Sequence, residues 1–238
     1  MTDRQQKLVE LREKLYTGDA VRRNLACDEM WALIAEVQND LDNVELLMSE
    51  MMDVLVDLGR FSDWQRCYDS LYNSKDYRLR IRALGSKAWR CKKASPIDVL
   101  CVQEAYEEAI RISKEHNDNE RTAECSMMLA KLWLTMSDKR KDALDMFGQC
   151  KTYAQRSHNH SMEAVTTYYM GVLLHEMGYE NSSLEMLRTA LEMAYEQQDK
   201  RVAMHIEVVR AHYLMQKDDT ESVKQSLDSW YKHFGGEL

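Results

Sequence analysis

Proline and glycine are scarce in this chain of 238 residues, which has one proline and eight glycines. All-β architectures need many Gly- and Pro-rich turns, so this scarcity argues against a β-sandwich or barrel. Sixteen methionines accompany abundant Leu, Ala, Glu, Lys and Arg, which are the residues with the best intrinsic helix propensities. The composition therefore predicts an all-α protein.

Long apolar runs are also missing. No segment approaches the roughly 18 apolar residues that a membrane-spanning helix needs. The start of the chain, MTDRQQKLVELREK, has neither the apolar core of a signal peptide nor the acid-poor composition of a transit peptide. We therefore expect a cytoplasmic protein with no membrane insertion.

The six cysteines form no CxxC pair. They are scattered along the chain at Cys27, Cys67, Cys91, Cys101, Cys125 and Cys150. The spacing indicates neither a disulfide framework nor a zinc site. Several thiols fall at helix positions expected to be buried, where cysteine acts as a small apolar side chain.

Positive charge is in deficit overall, with a formal net charge of −8, and this argues against a general nucleic-acid-binding protein. The charge is unevenly distributed, however. The segment 24–59 has nine acidic residues and no Lys or Arg, whereas the segment 77–97 has seven basic residues and no acid. The two segments could complement each other between subunits, which makes a head-to-tail homodimer one possibility.

An internal repeat dominates the rest of the sequence. Ser183, Leu187 and Ala190 lie four and then three residues apart, on one face of a helix. The same spacing occurs six times, with central members Met30, Tyr68, Tyr106, Phe147, Leu187 and Leu227, which are 38, 38, 41, 40 and 40 residues apart. A hairpin of this kind buries its apolar face only by stacking on neighbours. We therefore predict a single elongated domain over 1–238 with six antiparallel helix hairpins, at approximately 3–38, 41–73, 77–115, 119–157, 160–197 and 199–234.

Small residues and turn residues mark the hairpins. Gly171, Gly85 and Ala130 lie where two helices are expected to cross closely, and Gly178 is expected to make a tight turn. Ser95, followed by Pro96, is typical of a helix N-cap. Ser182 and Glu185 have the spacing of a capping box.

The pattern of the fifth hairpin resembles the tetratricopeptide repeat. The residues that carry the resemblance are Met170, Gly171, Leu174, Gly178, Ser183, Leu187 and Ala190, and Gly59, Phe61, Trp64, Tyr68 and Leu71 repeat the second half of the pattern. The resemblance covers roughly 44–230, although the period is nearer 40 than the usual 34 residues. Units of this length are similar to those of Rap-type and kinesin light chain proteins. The resemblance implies a right-handed superhelical stack, that is, an α-solenoid.

In that superfamily the first helices of successive hairpins line a concave binding face. The resemblance places eight candidate partner-binding residues on this face: Arg78, Arg82, Ser86, Trp89, Arg90, Lys131, Tyr168 and His175. Arg82, Ser86 and Trp89 are spaced i, i+4 and i+7, so one stripe would present a guanidinium, a hydroxyl and an indole. Arg and Trp are common in binding hot spots, and this stripe is the best candidate for an acidic peptide. A charged solvated helix face, with Trp89 in the core, is the alternative.

Motifs for catalysis or cofactor binding are missing. His158 and His160 lack the HExxH spacing of a zinc site, and there is no phosphate-binding glycine loop or nucleophile elbow. The Lys/Asn carboxylate-binding pattern of chaperone-binding members is also missing, because Ser49, Asp53, Arg82 and Ser86 stand at its expected positions.

We therefore predict a non-enzymatic scaffold or adaptor without cofactor or metal, which binds a protein or an acidic peptide segment. One alternative is a structural subunit of a larger assembly. A further alternative is a phosphopeptide-binding dimer similar to the 14-3-3 proteins, which match in length, helicity and acidity.

Overall fold

The computed structural model describes residues 3–37 and 40–234, and nearly all of these residues are helical. The described part contains twelve α-helices and no β-strand, so the predicted all-α fold of antiparallel helix hairpins is confirmed. The helices are α1 (Asp3–Thr17), α2 (Ala20–Glu36), α3 (Leu41–Asp57), α4 (Phe61–Tyr72), α5 (Tyr77–Lys93), α6 (Val99–Glu115), α7 (Asn119–Leu134), α8 (Arg140–Arg156), α9 (His160–Glu176), α10 (Glu180–Glu196), α11 (Lys200–Gln216) and α12 (Thr220–Phe234). A short 3-10 helix, Ser137–Lys139, precedes α8.

The helices fall into two compact units, Met1–Asn117 and Asp118–Leu238. Unit 1 contains α1 to α6 and unit 2 contains α7 to α12. The organisation as one domain stays a prediction. Among the described helices, none is both long and apolar enough to cross a lipid bilayer.

Aspartate or asparagine begins most of the helices. The side chain of the N-cap residue accepts a hydrogen bond from a backbone N–H of the first turn at Asp19, Asp40, Asp76, Asp98, Asp118, Asn159 and Asp199. Such caps satisfy N–H groups that have no partner inside the helix. Two predicted caps are wrong. The N-cap of α6 is Asp98 and not Ser95, because the chain first turns through an exposed segment at 94–98. Ser182 lies inside α10, and the N-cap of that helix is Tyr179.

Each unit has a core of its own. Met51, Met52 and Leu55 of α3 are fully buried in unit 1, and Trp64 of α4 is nearly so. In unit 2, Leu187 of α10 is fully buried among residues of α9 to α12. These residues include members of the repeated four-three pattern. The pattern therefore marks faces on which helices pack, but it fails in α12, where the predicted central member Leu227 is 51 % exposed and Ser226 and Trp230 are buried instead.

The two predicted glycine crossings differ. A Cβ atom on Gly171 would lie 3.0 Å from Leu187 Cγ and 3.3 Å from Leu187 N, so α9 and α10 cross closely there, as predicted. A Cβ atom on Gly85 would meet nothing within 4 Å, so the predicted close crossing at Gly85 is wrong. Gly178 has φ +85°, a conformation that suits glycine and ends α9 in the predicted tight turn.

The cysteines also depart from the prediction. Cys91 and Cys101 form a disulfide, with their Cα atoms 6.1 Å apart. This bond was not expected, because the scattered cysteines form no CxxC pair in the sequence. The exposed turn after α5 brings the last turn of that helix back to the first turn of α6, within the usual Cα separation for a disulfide. Cys27, Cys67, Cys125 and Cys150 are buried thiols, as predicted for apolar core positions.

Candidate functional site

The predicted stripe on α5 is largely engaged inside unit 1. The Arg82 guanidinium donates two hydrogen bonds to the two carboxylate oxygens of Asp53 on α3, at 3.2 and 3.0 Å. This bidentate pair is the kind of contact that the stripe was predicted to make with a partner. Arg82 therefore binds a carboxylate of the same chain, where the prediction had a carboxylate of an acidic peptide.

The other two members of the stripe also have internal partners. Ser86 is fully buried and its hydroxyl accepts a hydrogen bond from Trp64 Nε1 at 3.0 Å. The prediction that Ser86 presents its hydroxyl to a partner is therefore wrong, because α4 covers this side of α5. Trp89 is 37 % exposed and is not a core residue, and its Nε1 donates to Asp57 Oδ1 at 3.2 Å.

Two further arginines of α5 lie on aromatic rings. The Arg90 guanidinium is 4.4 Å from the centroid of the Trp64 ring and 5.1 Å from that of Phe61. Arg78 Nε donates to the hydroxyl of Tyr77 at 3.3 Å, and its guanidinium lies 5.6 Å from the Tyr77 ring centroid. Such cation–π contacts use the planar face of the guanidinium.

The carboxylate of Asp57 contacts two positively charged side chains near this stripe. Its carboxylate contacts Arg23 at 3.2 Å and Lys93 at 3.6 Å, besides Trp89. Burial acts to raise the pKa of Asp57, but hydrogen bonds from Arg23 and Trp89 and the charge of Lys93 outweigh it, and the net pKa is lowered. The basic and acidic segments thus complement each other within unit 1. Charge complementarity between subunits is therefore a weaker argument for a head-to-tail dimer.

The equivalent face of unit 2 is different, because it contains an open pocket between α9 and α11. The pocket has a volume of about 330 Å³. Its lining residues are Val165, Tyr168, Tyr169, Arg201, Val202, His205 and Ile206. Small, mainly apolar pockets with a few polar groups are typical ligand sites. Among these lining residues, Arg201 carries a formal positive charge, and its side chain is exposed.

A hydrogen bond fixes one wall of the pocket. The Tyr168 hydroxyl and His205 Nε2 lie 3.0 Å apart, and their rings meet edge to face. Tyr168 is 7 % exposed, so it is a largely buried member of the pocket lining. Burial, with smaller contributions from Tyr169 and Tyr213, raises the pKa of Tyr168 to about 12, so the phenol is neutral and keeps its proton.

The remaining predicted residues flank the pocket. Lys131 of α7 holds its ammonium 4.5 Å from the centroid of the Tyr169 ring. His175 stacks on Tyr213 of α11 with ring centroids 3.6 Å apart. Lys131, Tyr168 and His175 thus belong to a single aromatic and cationic face of unit 2. We call the surface formed by the pocket and these flanking residues the α9–α11 face.

Sequence reasoning missed five lining residues, namely Val165, Tyr169, Arg201, Val202 and Ile206. Arg201 and Val202 lie in the first turn of α11. They follow the Asp199 cap in the sequence, and only the packing of α11 beside α9 shows that they line a pocket.

A second cavity, of about 610 Å³, lies between α10 and α12 and is lined in part by Arg210, Tyr195 and Ser226. The Tyr195 hydroxyl and Glu207 Oε1 are buried next to it without a hydrogen-bond partner among the described residues. Glu192 and Glu196 also line this cavity, so its charge does not favour a ligand of one sign. It is a weaker candidate than the α9–α11 face.

Comparisons with known proteins identify the fold. No protein-family model matches the sequence, and no curated protein sequence matches it. Two solved structures are similar over nearly the whole chain. BtubC (BKLC) from P. vanneervenii has a TM-score of 0.69 and 15 % identity, covering 100 % of this chain and 94 % of that one. The apo form of RapI has a TM-score of 0.70 and 12 % identity, covering 98 % and 92 %.

Identities this low show the fold alone. The chain has an all-α fold of the helical repeat kind. The narrower assignment to the tetratricopeptide repeat superfamily stays a prediction.

Proposed function

We propose that this chain is a non-catalytic scaffold or adaptor that binds a protein or peptide segment on the α9–α11 face. The observation that carries the proposal is the open 330 Å³ pocket between α9 and α11. Its walls are apolar and aromatic, which suits one apolar side chain of a partner. Arg201 at the pocket and Lys131 beside it suit an acidic residue next to that side chain.

The α5 stripe is the weaker location for the site. A partner carboxylate at Arg82 would have to displace Asp53, and one at Trp89 would have to displace Asp57. Each exchange replaces one hydrogen-bonded pair by another, so it gains little free energy. On the α9–α11 face, no carboxylate among the residues that the structure describes pairs with Arg201 or Lys131, so a partner carboxylate there displaces none of them.

Selection from a displayed library of random peptides on the purified full chain tests the proposal. We expect enrichment of an aromatic or large aliphatic residue next to Asp or Glu. Val202→Trp, which fills the pocket, and Arg201→Glu, which reverses an exposed charge, should each weaken binding of the selected peptide at least tenfold, that is, by about 1.4 kcal/mol or more. Arg82→Gln is the matched control on the α5 stripe and should leave the affinity unchanged.

Failure to enrich any motif, or equal binding by wild type and both pocket variants, would contradict the proposal. Circular dichroism of each variant should be helical, so that lost binding is not mistaken for lost structure. Loss of binding in Arg82→Gln alone would return the site to α5.

A structural subunit of a larger assembly is the second candidate. The first hairpin of unit 1 exposes Val9, Tyr16, Val21 and Leu25, each more than half accessible. Clustered exposed apolar side chains often mark protein interfaces. Sedimentation of the purified chain, with Val21→Glu and Leu25→Glu together as the variant, tests this candidate, since an assembly through this surface should dissociate in the variant.

A further inference from the structure

The six cysteines divide into two chemically distinct groups. Cys27, Cys67, Cys125 and Cys150 are buried. Burial raises the pKa of Cys27 to about 11 and the pKa values of Cys67 and Cys125 to about 12. A thiol reacts as its thiolate, so these buried thiols are unreactive near neutral pH.

Cys91 and Cys101 form the second group, and both are partly exposed. Cys91 lies in the last turn of α5, and Cys101 lies in the first turn of α6, where its backbone N–H donates to the capping carboxylate of Asp98 at 3.0 Å. The two sulfur atoms are bonded to each other. The segment 94–98 that joins the helices is exposed, so small molecules can reach the bond.

The surroundings of this pair favour thiol–disulfide exchange. Cys101 lies in the first turn of α6, at the positive end of the helix dipole. A helix N-terminus stabilises a thiolate, whereas the carboxylate of Asp98, which lies within 4.8 Å of both sulfur atoms, acts in the opposite direction. An accessible bond in such surroundings is open to attack, whereas buried structural disulfides resist it.

We propose that Cys91 and Cys101 form a reversible dithiol–disulfide pair, which reacts with low-molecular-weight disulfides such as oxidised glutathione. One cysteine thiolate attacks a sulfur of the small disulfide, forms a mixed disulfide and releases one small thiolate. The second cysteine thiolate then attacks the protein sulfur of the mixed disulfide and releases the second small thiolate. The two cysteines lose two electrons and two protons, and the small disulfide becomes two thiols.

The consequence is local to the hairpin of α5 and α6. The bond ties the end of α5 to the start of α6 across an exposed turn. The same turn of α5 positions Trp89 and Lys93, which contact Asp57. Reduction therefore releases the covalent constraint on the part of α5 that holds this charge network. This role is independent of the α9–α11 face.

The test uses the full chain in glutathione buffers of graded redox ratio. The native reduced protein should have two thiols that react rapidly with iodoacetamide, and mass mapping should find them at Cys91 and Cys101. Oxidation should protect both and lower the mass by two hydrogens. Cys91→Ser and Cys101→Ser should each stop at a stable glutathione adduct, because no second thiolate resolves it.

Trypsin gives an independent readout, since Lys92 and Lys93 lie inside the loop that the bond closes. Oxidised protein cut there should run as one band without reductant and as two bands with it. The oxidised form should also melt several degrees above the reduced form, because closing the loop restricts the unfolded chain.

Three results would overturn the proposal. The first is rapid labelling of other cysteines in the native protein. The second is an adduct that persists in the wild type, which would mean that the pair does not close. The third is stoichiometric Zn²⁺ uptake by the reduced protein through Cys91, Cys101 and Asp98, whose ligand atoms lie within 4.8 Å of one another, with loss of reactivity to glutathione. That result would make the group a metal site.

Discussion

The α5 stripe and the α9–α11 face come from corresponding helices of the repeat, yet their polar groups have different partners. On α5 the guanidinium of Arg82 and the indole of Trp89 contact carboxylates of α3. On α9 and α11 the Tyr168 hydroxyl and the His205 imidazole contact each other, and a pocket remains open beside them. A repeat position therefore does not determine whether a side chain is available to a partner.

We attribute the difference to the side chains on the first helix of the preceding hairpin. The helix α3 brings Asp53 and Asp57 to the cations of α5, so unit 1 neutralises its own basic segment. The helix α9 presents tyrosines to α11, and the described residues that line the pocket beside Arg201 include no carboxylate. Pairing between neighbouring hairpins decides which face stays open.

The helix crossings extend the comparison, and they give the largest expected effect. Gly171→Leu should destabilise the protein by about 1–3 kcal/mol, because the new side chain overlaps Leu187, which is fully buried. Thermal unfolding followed by circular dichroism measures the change as a drop in melting temperature of several degrees.

Gly85→Ala is the matched control for the crossing, since a Cβ atom meets nothing within 4 Å there. It should be neutral or stabilising by up to about 1 kcal/mol, because alanine has the higher helix propensity. Equal effects of the two substitutions would mean that α9 and α10 do not cross as closely as described.

Replacement of the arginine on the α5 stripe should have a smaller effect. Arg82→Gln removes the bidentate pair with Asp53, whose two side chains are 35 % and 45 % exposed. Pairs this accessible contribute roughly 0–1 kcal/mol, and we expect a loss within that range in chemical denaturation. A loss of several kcal/mol would show that the stripe is a structural core and not a self-neutralised surface.

The smallest effect concerns pH. The pKa of Asp57 is lowered in the folded protein from the ordinary value of 3.8. Its ionised form therefore stabilises the fold above about pH 4, and this contribution disappears as the pH falls through the lowered pKa. The difference in melting temperature between wild type and Asp57→Asn should therefore shrink as the pH is lowered below about 4. A constant difference in melting temperature would mean that the negative charge of Asp57 does not stabilise the fold.

Much of the fold could be predicted from the sequence, because buried residues recur with a fixed period. Ser183, Leu187 and Ala190 are all fully buried, and Gly171 packs against Leu187 as the small residue at a crossing should. Signals of this kind come from residues that are close together in the sequence. They predict where helices lie, which consecutive helices form hairpins and where most turns occur.

The site could not be predicted in the same way, because it depends on contacts between hairpins. Nothing local to Ser86 shows that Trp64, 22 residues earlier, covers and binds its hydroxyl. The pairing of Arg82 with Asp53 crosses 29 residues, and that of Cys91 with Cys101 depends on how one turn is folded. Lys131, Tyr168 and His175 lie on first helices of the hairpins of unit 2, as the repeat predicts, and their role in binding stays a prediction.

Hydrogen exchange of the full chain, with and without the selected peptide, tests the central claim most directly. Our account predicts slowed amide exchange in α9 and the first turns of α11, around Val165, Tyr168 and Val202, with exchange in α3 and α5 unchanged. Protection confined to α3 and α5, around Asp53 and Arg82, would contradict it and place the binding site on the α5 stripe.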